Sequence, residues 1–380
     1  MTLTLDHEEL RQRLVARIRH SGHLTNPRVA AAFAAVPRHV FAPAAYHVDE
    51  AGQVGDVLRG DRPEQRAAYL EAVYSDNAIV TQVTADGRVT SSSTQPGVMA
   101  VMLEALDLAG NERVLEIGTG SGYNAALLCA LVGETNVTTV DIDRDLVNQA
   151  ITALGAADYR PAAIAADGLT GHPRRAPYDR IIATCSVRRV PAAWLRQTRP
   201  GGIVLANLSY GVVPLRVDDN GNGIGRFLPQ VAAFIEARPA DGPLGPSVDE
   251  IVRTCMEGRG ADSAADVRAV ELFTDPNCEF FWHLAQPDVY QCGPLLDGGE
   301  VHCLVDGATG SWARVRHHGD EVTVTQGGGR RMWDEVAAWC LRWDQAGRPG
   351  HNRLGLTVTP EGRQTVWVDT PTGRWRWDLA

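Results

Sequence analysis

Glu116, Gly118, Gly120 and Gly122 stand at alternate positions in the run Val114-Leu115-Glu116-Ile117-Gly118-Thr119-Gly120-Ser121-Gly122. Glycines at that spacing let the backbone pass close to a ligand, where a Cβ would collide. The spacing separates two chemistries. A dinucleotide site uses Gly-x-Gly-x-x-Gly and seats a pyrophosphate on a helix N-terminus. Here the pattern is Glu-x-Gly-x-Gly-x-Gly, and Tyr123 takes the place of the third dinucleotide glycine. A second acid, Asp141, ends the β-branched run Val137-Thr138-Thr139-Val140, 25 residues after Glu116. A carboxylate at the end of a second strand accepts from the ribose hydroxyls of an adenosine, and its two oxygens match a vicinal diol. Asp143 is the nearby competitor, read as a helix N-cap. A third acid, Asp167, follows the apolar run 162–166 and precedes Gly168, where a turn would set it beside an adenine amino group.

These residues need strands to carry them. Val114–Ile117 reads as a short buried strand, and Tyr123 onward as a helix. Tyr178–Thr184 gives a further strand, and Pro200-Gly201-Gly202 turns into another at Ile203–Ala206. Strands alternating with helices, with acids at the strand ends, predict an α/β fold with a doubly wound, Rossmann-like parallel sheet. Residues 6–20 predict a charged amphipathic helix, and Pro27 opens an Ala-rich one. Residues 44–95 read as irregular, with strand-like pieces near Ala78–Thr81. Leu215–Ile224 reads as a hairpin closing the sheet as its antiparallel edge. The expected division is an N-terminal segment 1–80 packing on the core, a core 81–238, a linker 239–250 and a smaller C-terminal α+β domain 251–380 that recognises the peptide substrate.

Two upstream pieces narrow the reading. Val36-Pro37-Arg38-His39-Val40-Phe41-Ala42-Pro43 and Ser91-Ser92-Ser93-Thr94-Gln95-Pro96 accompany the glycine motif. The glycine motif resembles that of S-adenosylmethionine-dependent methyltransferases. The combination resembles the protein-L-isoaspartate O-methyltransferase family, over roughly residues 10 to 235. In that family the first piece is Val-Pro-Arg-x-x-Phe-x-Pro and the second is Thr-Ile-Ser-Gln-Pro, which touches cofactor and substrate. Aligned on Gln95-Pro96, Thr94 takes the place of the family's functional serine, Ser93 the isoleucine and Ser92 the threonine. The resemblance implies a class I methyltransferase sheet and S-adenosyl-L-methionine as cofactor. It implies Glu116 at the cofactor's ammonium end, together with Gly118, Gly120, Gly122, Asp141, Asp167 and Gly168 around it. It implies Thr94 and Ser93 as the catalytic hydroxyls, with Ser92 and His39 toward substrate. His39, lying beside Pro37 and Phe41, also has a purely structural reading.

Composition agrees with a soluble enzyme. At 380 residues, two cores are expected rather than one. A 44% apolar content is globular. No window approaches the roughly 18 apolar residues of a membrane span. The acidic N-terminus Met-Thr-Leu-Thr-Leu-Asp-His-Glu-Glu is read as no signal peptide, so the cytoplasm is expected. A net charge of −10 argues against a nucleic-acid surface. There is no lysine at all, which excludes lysine chemistry. Seven scattered cysteines form no Cys-x-x-Cys pair and predict reduced thiols and no metal site.

The C-terminal segment is acidic and holds eight of the nine tryptophans. Core packing accounts for most of them, with Trp375-Arg376-Trp377 the expected exposed pair. The core is expected to hold the cofactor without this segment. Long relatives with a C-terminal extension occur in clusters for ribosomally made peptides, and the resemblance extends to that branch. There they methylate a carboxylate of a modified precursor peptide, and the ester collapses to a succinimide (aspartimide). The expected partner is therefore a peptide or protein, with no nucleic acid and no membrane. Housekeeping repair of isoaspartyl proteins and methylation of a small molecule remain as alternatives.

Overall fold

The computed structural model describes residues 6–48, 54–85, 87–238, 245–263, 265–296, 299–318 and 321–379. Three sheets organise the described residues. The central sheet has ten strands, in the order Arg376–Asp378, Gln364–Val368, Leu354–Val358, Gly223–Arg226, Gly211–Val217, Thr198–Leu208, Tyr178–Ser186, Val114–Ile117, Val137–Asp141, Ala162–Ala165. The five strands from Thr198–Leu208 to Ala162–Ala165 are parallel, as expected. Val114–Ile117 is buried at all four residues. A strand covered on both faces reads as a continuous apolar run, which explains its lack of alternation.

The connecting helices begin where the sequence provides donors' partners. Asp143 accepts from the backbone N–H groups of Asp145 and Leu146 and caps helix Arg144–Ala156. Asn26 caps Pro27–Ala35 in the same manner, with proline in the first turn. Helix Tyr123–Val132 starts instead from Gly122, whose φ of +85° favours glycine. One face of the sheet packs against this helix and the N-terminal helices, through Val114, Ile182, Leu205, Phe33 and Leu127.

The span 44–95 differs from the expectation of irregular chain. It folds as a four-stranded antiparallel sheet, ordered Val54–Arg59, Ala44–Val48, Ile79–Val83, Val89–Ser93, with helix Arg66–Val73 inserted. Its pairings are interrupted by register shifts, so no clean two-residue alternation marks them in the sequence.

The C-terminal segment also differs from expectation. The six residues 239–244 of the expected linker lie outside the described residues. Helix Val248–Glu257 follows, opened by a capping box between Ser247 and Glu250. A five-stranded antiparallel sheet then forms in the order Ala261–Ser263, Glu321–Gly327, Trp312–His318, Glu300–Asp306, Val289–Leu296. The last three strands leave this unit. Leu354–Val358 pairs with Gly223–Arg226, so the 215–224 hairpin is no edge and the central sheet continues through it. One apolar cluster runs from Leu115 and Ile117 through Phe227, Phe280 and Trp282 to Leu356 and Trp377. The expected exposed pair is corrected as well. Trp377 is buried, with ring centroids 4.6 Å from Phe281 and 5.3 Å from Trp339. Its position on a sheet edge strand turns it inward, and Trp375 is half-buried.

No helix among the described residues is long and apolar enough to cross a membrane. No three His, Cys, Asp or Glu side chains among them are grouped to hold a metal ion.

Truncation after Pro246 removes three strands of the central sheet and the helix bearing Phe280, whose ring centroid lies 5.0 Å from that of Phe227. Loss of one such buried Phe alone costs about 3–5 kcal/mol. The truncated chain is therefore expected to lose cooperative unfolding. A sharp denaturation transition with native-like circular dichroism in that chain would refute this account of the C-terminal strands.

Candidate active site

The parallel register sets the site. Ile117 lies level with Val140 on one side and Ala183 on the other. The chain runs outward from Val114–Ile117 to one side first, then crosses to the other. Such a reversal leaves a crevice beyond the strands' carboxyl ends. A cavity lies there. Its walls include Glu116, Gly118, Gly120, Asp141, Gly168, Thr184 and the segment Thr90–Thr94.

Glu116 is fully buried. One carboxylate oxygen accepts from Asn124 Nδ2 at 2.7 Å and the other from Thr139 Oγ1 at 2.6 Å. Thr139 spends its proton on that bond, so Thr119 Oγ1, 2.7 Å away, donates to Thr139. Burial outweighs these bonds and pushes the Glu116 carboxyl up to about 7. Asn124 Oδ1 is buried with no partner among the described residues, and Asn124 lines the cavity. An orphaned acceptor beside a desolvated carboxylate calls for a cationic donor. An ammonium group supplies that.

Asp141 holds the glycine turn. Its Oδ2 accepts from Gly120 N at 2.8 Å and its Oδ1 from Asp143 N at 3.1 Å. Burial raises its pKa, against those two bonds. Gly118 has φ +98°, and a Cβ there would stand 2.7 Å from Thr184 Oγ1. The glycine is thus required by packing of the strand ends as well as by approach of a ligand.

Ser91, Ser92, Ser93 and Thr94 also line the cavity, and a Cβ on Gly120 would stand 3.5 Å from Ser91 Oγ. They end an edge strand and lead into helix Pro96–Ala105. Of the expected site residues, Thr94, Ser93, Ser92, Glu116, Gly118, Gly120, Asp141 and Gly168 line this one cavity. Three do not. Gly122 lies behind the turn, against Ala150. Asp167 is turned to the local backbone, where Oδ1 accepts from Leu169 N at 2.9 Å and caps a short 3-10 turn. His39 stacks on His7 at 4.6 Å and shares a 2.7 Å hydrogen bond with Tyr74 Oη. Burial and the neighbouring cations depress its pKa to about 4, so it is a neutral packing residue.

Two parts of the site were not foreseen. The segment Phe234–Arg238 forms a wall of the cavity. Ser186 N donates to Ile235 O and Ala237 N to Ser186 O, which stitches this segment to a strand end. Glu236 on it pairs with Arg188, and the same guanidinium reaches Asp288 and Tyr290 of the five-stranded unit. Arg38, in the Val36–Pro43 piece, lies beneath Ser93 and Thr94 and donates to both of their carbonyls.

Because its folded pKa lies above its unfolded one, Glu116 binds a proton more tightly in the folded chain. Its stabilising contribution is complete below about pH 4.5 and is lost as pH rises to about 7. Ligand-free Glu116→Gln is expected to flatten the stability curve over that window, by roughly 2–4 kcal/mol. Denaturant unfolding of both proteins across the window measures this, and parallel curves would contradict it.

The family model described as protein-L-isoaspartate(D-aspartate) O-methyltransferase matches residues 53–215. A protein-L-isoaspartate O-methyltransferase of Methanosarcina mazei is 35% identical over 219 residues, 57% of this chain and 77% of its own length. One from Ignicoccus hospitalis is 33% identical over 200 residues, 52% of this chain and 81% of its own. A solved structure described as a protein-L-isoaspartate O-methyltransferase superposes with a TM-score of 0.56 at 22% identity. That fold likeness covers 95% of this chain and all of the other, so it extends over the C-terminal unit. The arrangement of acids and glycines at the strand ends and these relatives agree: this chain belongs to the protein-L-isoaspartate O-methyltransferase family, S-adenosylmethionine-dependent enzymes that methylate carboxyl groups.

Proposed function

We propose that this enzyme methylates an aspartyl or isoaspartyl carboxylate in a peptide, with the hydroxyl wall Ser92–Thr94 facing the carboxylate and the acids Glu116 and Asp141 facing the cofactor. The observation that carries it is one cavity lined both by the hydroxyl residues Ser92–Thr94 and by two acids at strand ends, the fully buried Glu116 and the half-buried Asp141. Bound S-adenosylmethionine supplies an electrophilic methyl group. Glu116 and Asn124 hold its ammonium end, and the carboxylate of Asp141 accepts from the ribose. Gly118 and Gly168 keep the floor low. Asp167 and His39, turned away from the cavity, act through local packing.

Little else is asked of the protein. A carboxylate is already ionised at neutral pH and needs no general base. Ser93 and Thr94 orient it by donating hydrogen bonds. Those bonds should stay weak, because stabilising the ground-state anion slows attack. Alignment of the reacting groups can contribute several kcal/mol.

The natural substrate in this reading is a ribosomally made precursor peptide. The ester carbonyl is attacked by the next backbone nitrogen. A C–N bond forms, the C–O bond breaks, and methanol leaves with the amide proton. Thr94 in place of the family's serine supports a substrate that differs from ordinary isoaspartyl protein. Repair of isoaspartyl proteins is favoured instead by the full-length fold likeness to a solved relative. Incubation with isoaspartyl peptides and with a precursor encoded beside the gene separates the two. Efficient turnover of generic isoaspartyl peptides, with none on a precursor, would establish repair.

Thr94→Val keeps shape and removes the hydroxyl. Turnover is expected to fall about ten- to a hundredfold with cofactor affinity intact, since losing one charged hydrogen bond costs about 1.5–3 kcal/mol. Wild-type turnover would remove Thr94 from the site. Asp141→Ala is expected to weaken cofactor binding by about 1–3 kcal/mol in calorimetry. Unchanged affinity would displace Asp141 from the ribose.

A further inference from the structure

Arg38 is a fully buried guanidinium. Nη1 donates to the carbonyls of Val73 at 3.0 Å and Ser75 at 3.1 Å. Nη2 is shared among the carbonyls of Asn77 at 3.0 Å, Ser93 at 3.2 Å and Thr94 at 3.1 Å. Ser93 Oγ lies at 3.5 Å from the same nitrogen. No carboxylate touches it among the described residues. The carbonyls solvate the cation without cancelling its charge, so its field reaches outward through a low-dielectric interior.

That field falls where the cavity needs it. Among the described residues, the cavity wall carries the carboxylates of Glu116, Asp141 and Glu236 and one guanidinium, Arg238. Arg238 bears on Asp141 and Asp143. Glu236 is matched by Arg188. An incoming carboxylate at Ser93–Thr94 therefore meets neutral hydroxyls, with no cationic side chain on that segment. The cation behind those hydroxyls is Arg38. Asp76 is the near acid on that side; its hydrogen bonds come from Gly97 N at 2.7 Å and Gln95 Nε2 at 3.4 Å, and it offsets Arg38 in part through space.

We propose that Arg38 is the counter-charge of the substrate carboxylate, acting through the Ser93–Thr94 backbone that it holds and without contact to the substrate. The inference rests on the reading that this wall faces the carboxylate. It makes Arg38 a positioning residue with an electrostatic part. A cation one layer back favours entry of an anion yet leaves the anion's lone pairs free. That meets the requirement that the carboxylate be held loosely.

The test is a ratio. A peptide with one isoaspartyl residue is compared with the same peptide carrying a carboxamide at that carboxyl. Both affinities are measured on the full chain with S-adenosylhomocysteine bound. Arg38→Gln is expected to cut the preference for the carboxylate about tenfold, and Arg38→Lys to keep it within about threefold. Asp76→Asn leaves Arg38 in place and is expected to enlarge the preference about threefold, which keeps the test sound if the Arg38 variants fail to fold. A merely structural Arg38 would weaken both peptides alike. An unchanged ratio in folded Arg38→Gln, or in Asp76→Asn, overturns the proposal. Thr94→Val turnover separates this from the hydroxyl reading. Normal turnover there with a reduced Arg38→Gln ratio overturns the hydroxyl role and leaves the charge effect standing.

Discussion

The level register of three parallel strands is the constraint on which the site depends. Ile117, Val140 and Ala183 lie side by side, so the residues that follow them meet at one edge of the sheet. A shift of two residues in either pairing would carry Asp141 or Thr184 about 7 Å along the strand direction and away from the glycine turn. Asp141 then could not accept from Gly120 N, nor Thr184 Oγ1 donate to Gly118 O at 2.6 Å. Those two bonds fix the turn from both sides. The buried apolar strands exist, in that sense, to deliver two side chains to one loop.

Local features of this arrangement were legible in the sequence. The strand, the glycine turn, the helix start and the N-cap at Asp143 each depend on a few adjacent residues. Asp141 could be placed because it ends its own strand. Long-range features left no such trace. The pairing of Leu354–Val358 with Gly223–Arg226 joins strands over a hundred residues apart, and nothing in either short run names its partner. Arg38 was visible as part of a motif, yet its burial depends on three segments of chain converging around one guanidinium. His39 and Asp167 carry contacts that residue type alone does not reveal, to Tyr74 and His7 in one case and to the Leu169 backbone in the other.

The electrostatics of the cavity are set by burial more than by pairing. Desolvation is the leading influence on both Glu116 and Asp141, and it opposes their ionised forms. A ligand bearing a positive charge relieves that cost on arrival.

The C-terminal segment is part of the same argument. Its last strands lengthen the central sheet, and its helices cover one face of that sheet. Its reach to the cavity is through Arg188, which ties Asp288 and Tyr290 to Glu236 on the cavity wall. These side chains are one-third to one-half exposed, at 33%, 40% and 49% for Arg188, Glu236 and Asp288. Ion pairs so exposed contribute little to stability on their own, about 0–1 kcal/mol. Their weight lies in position. A wall segment held to the sheet by a few backbone bonds takes its remaining restraint from a network that includes the five-stranded unit. The Val114–Ile117 strand and its glycine turn, by contrast, are fixed by the register.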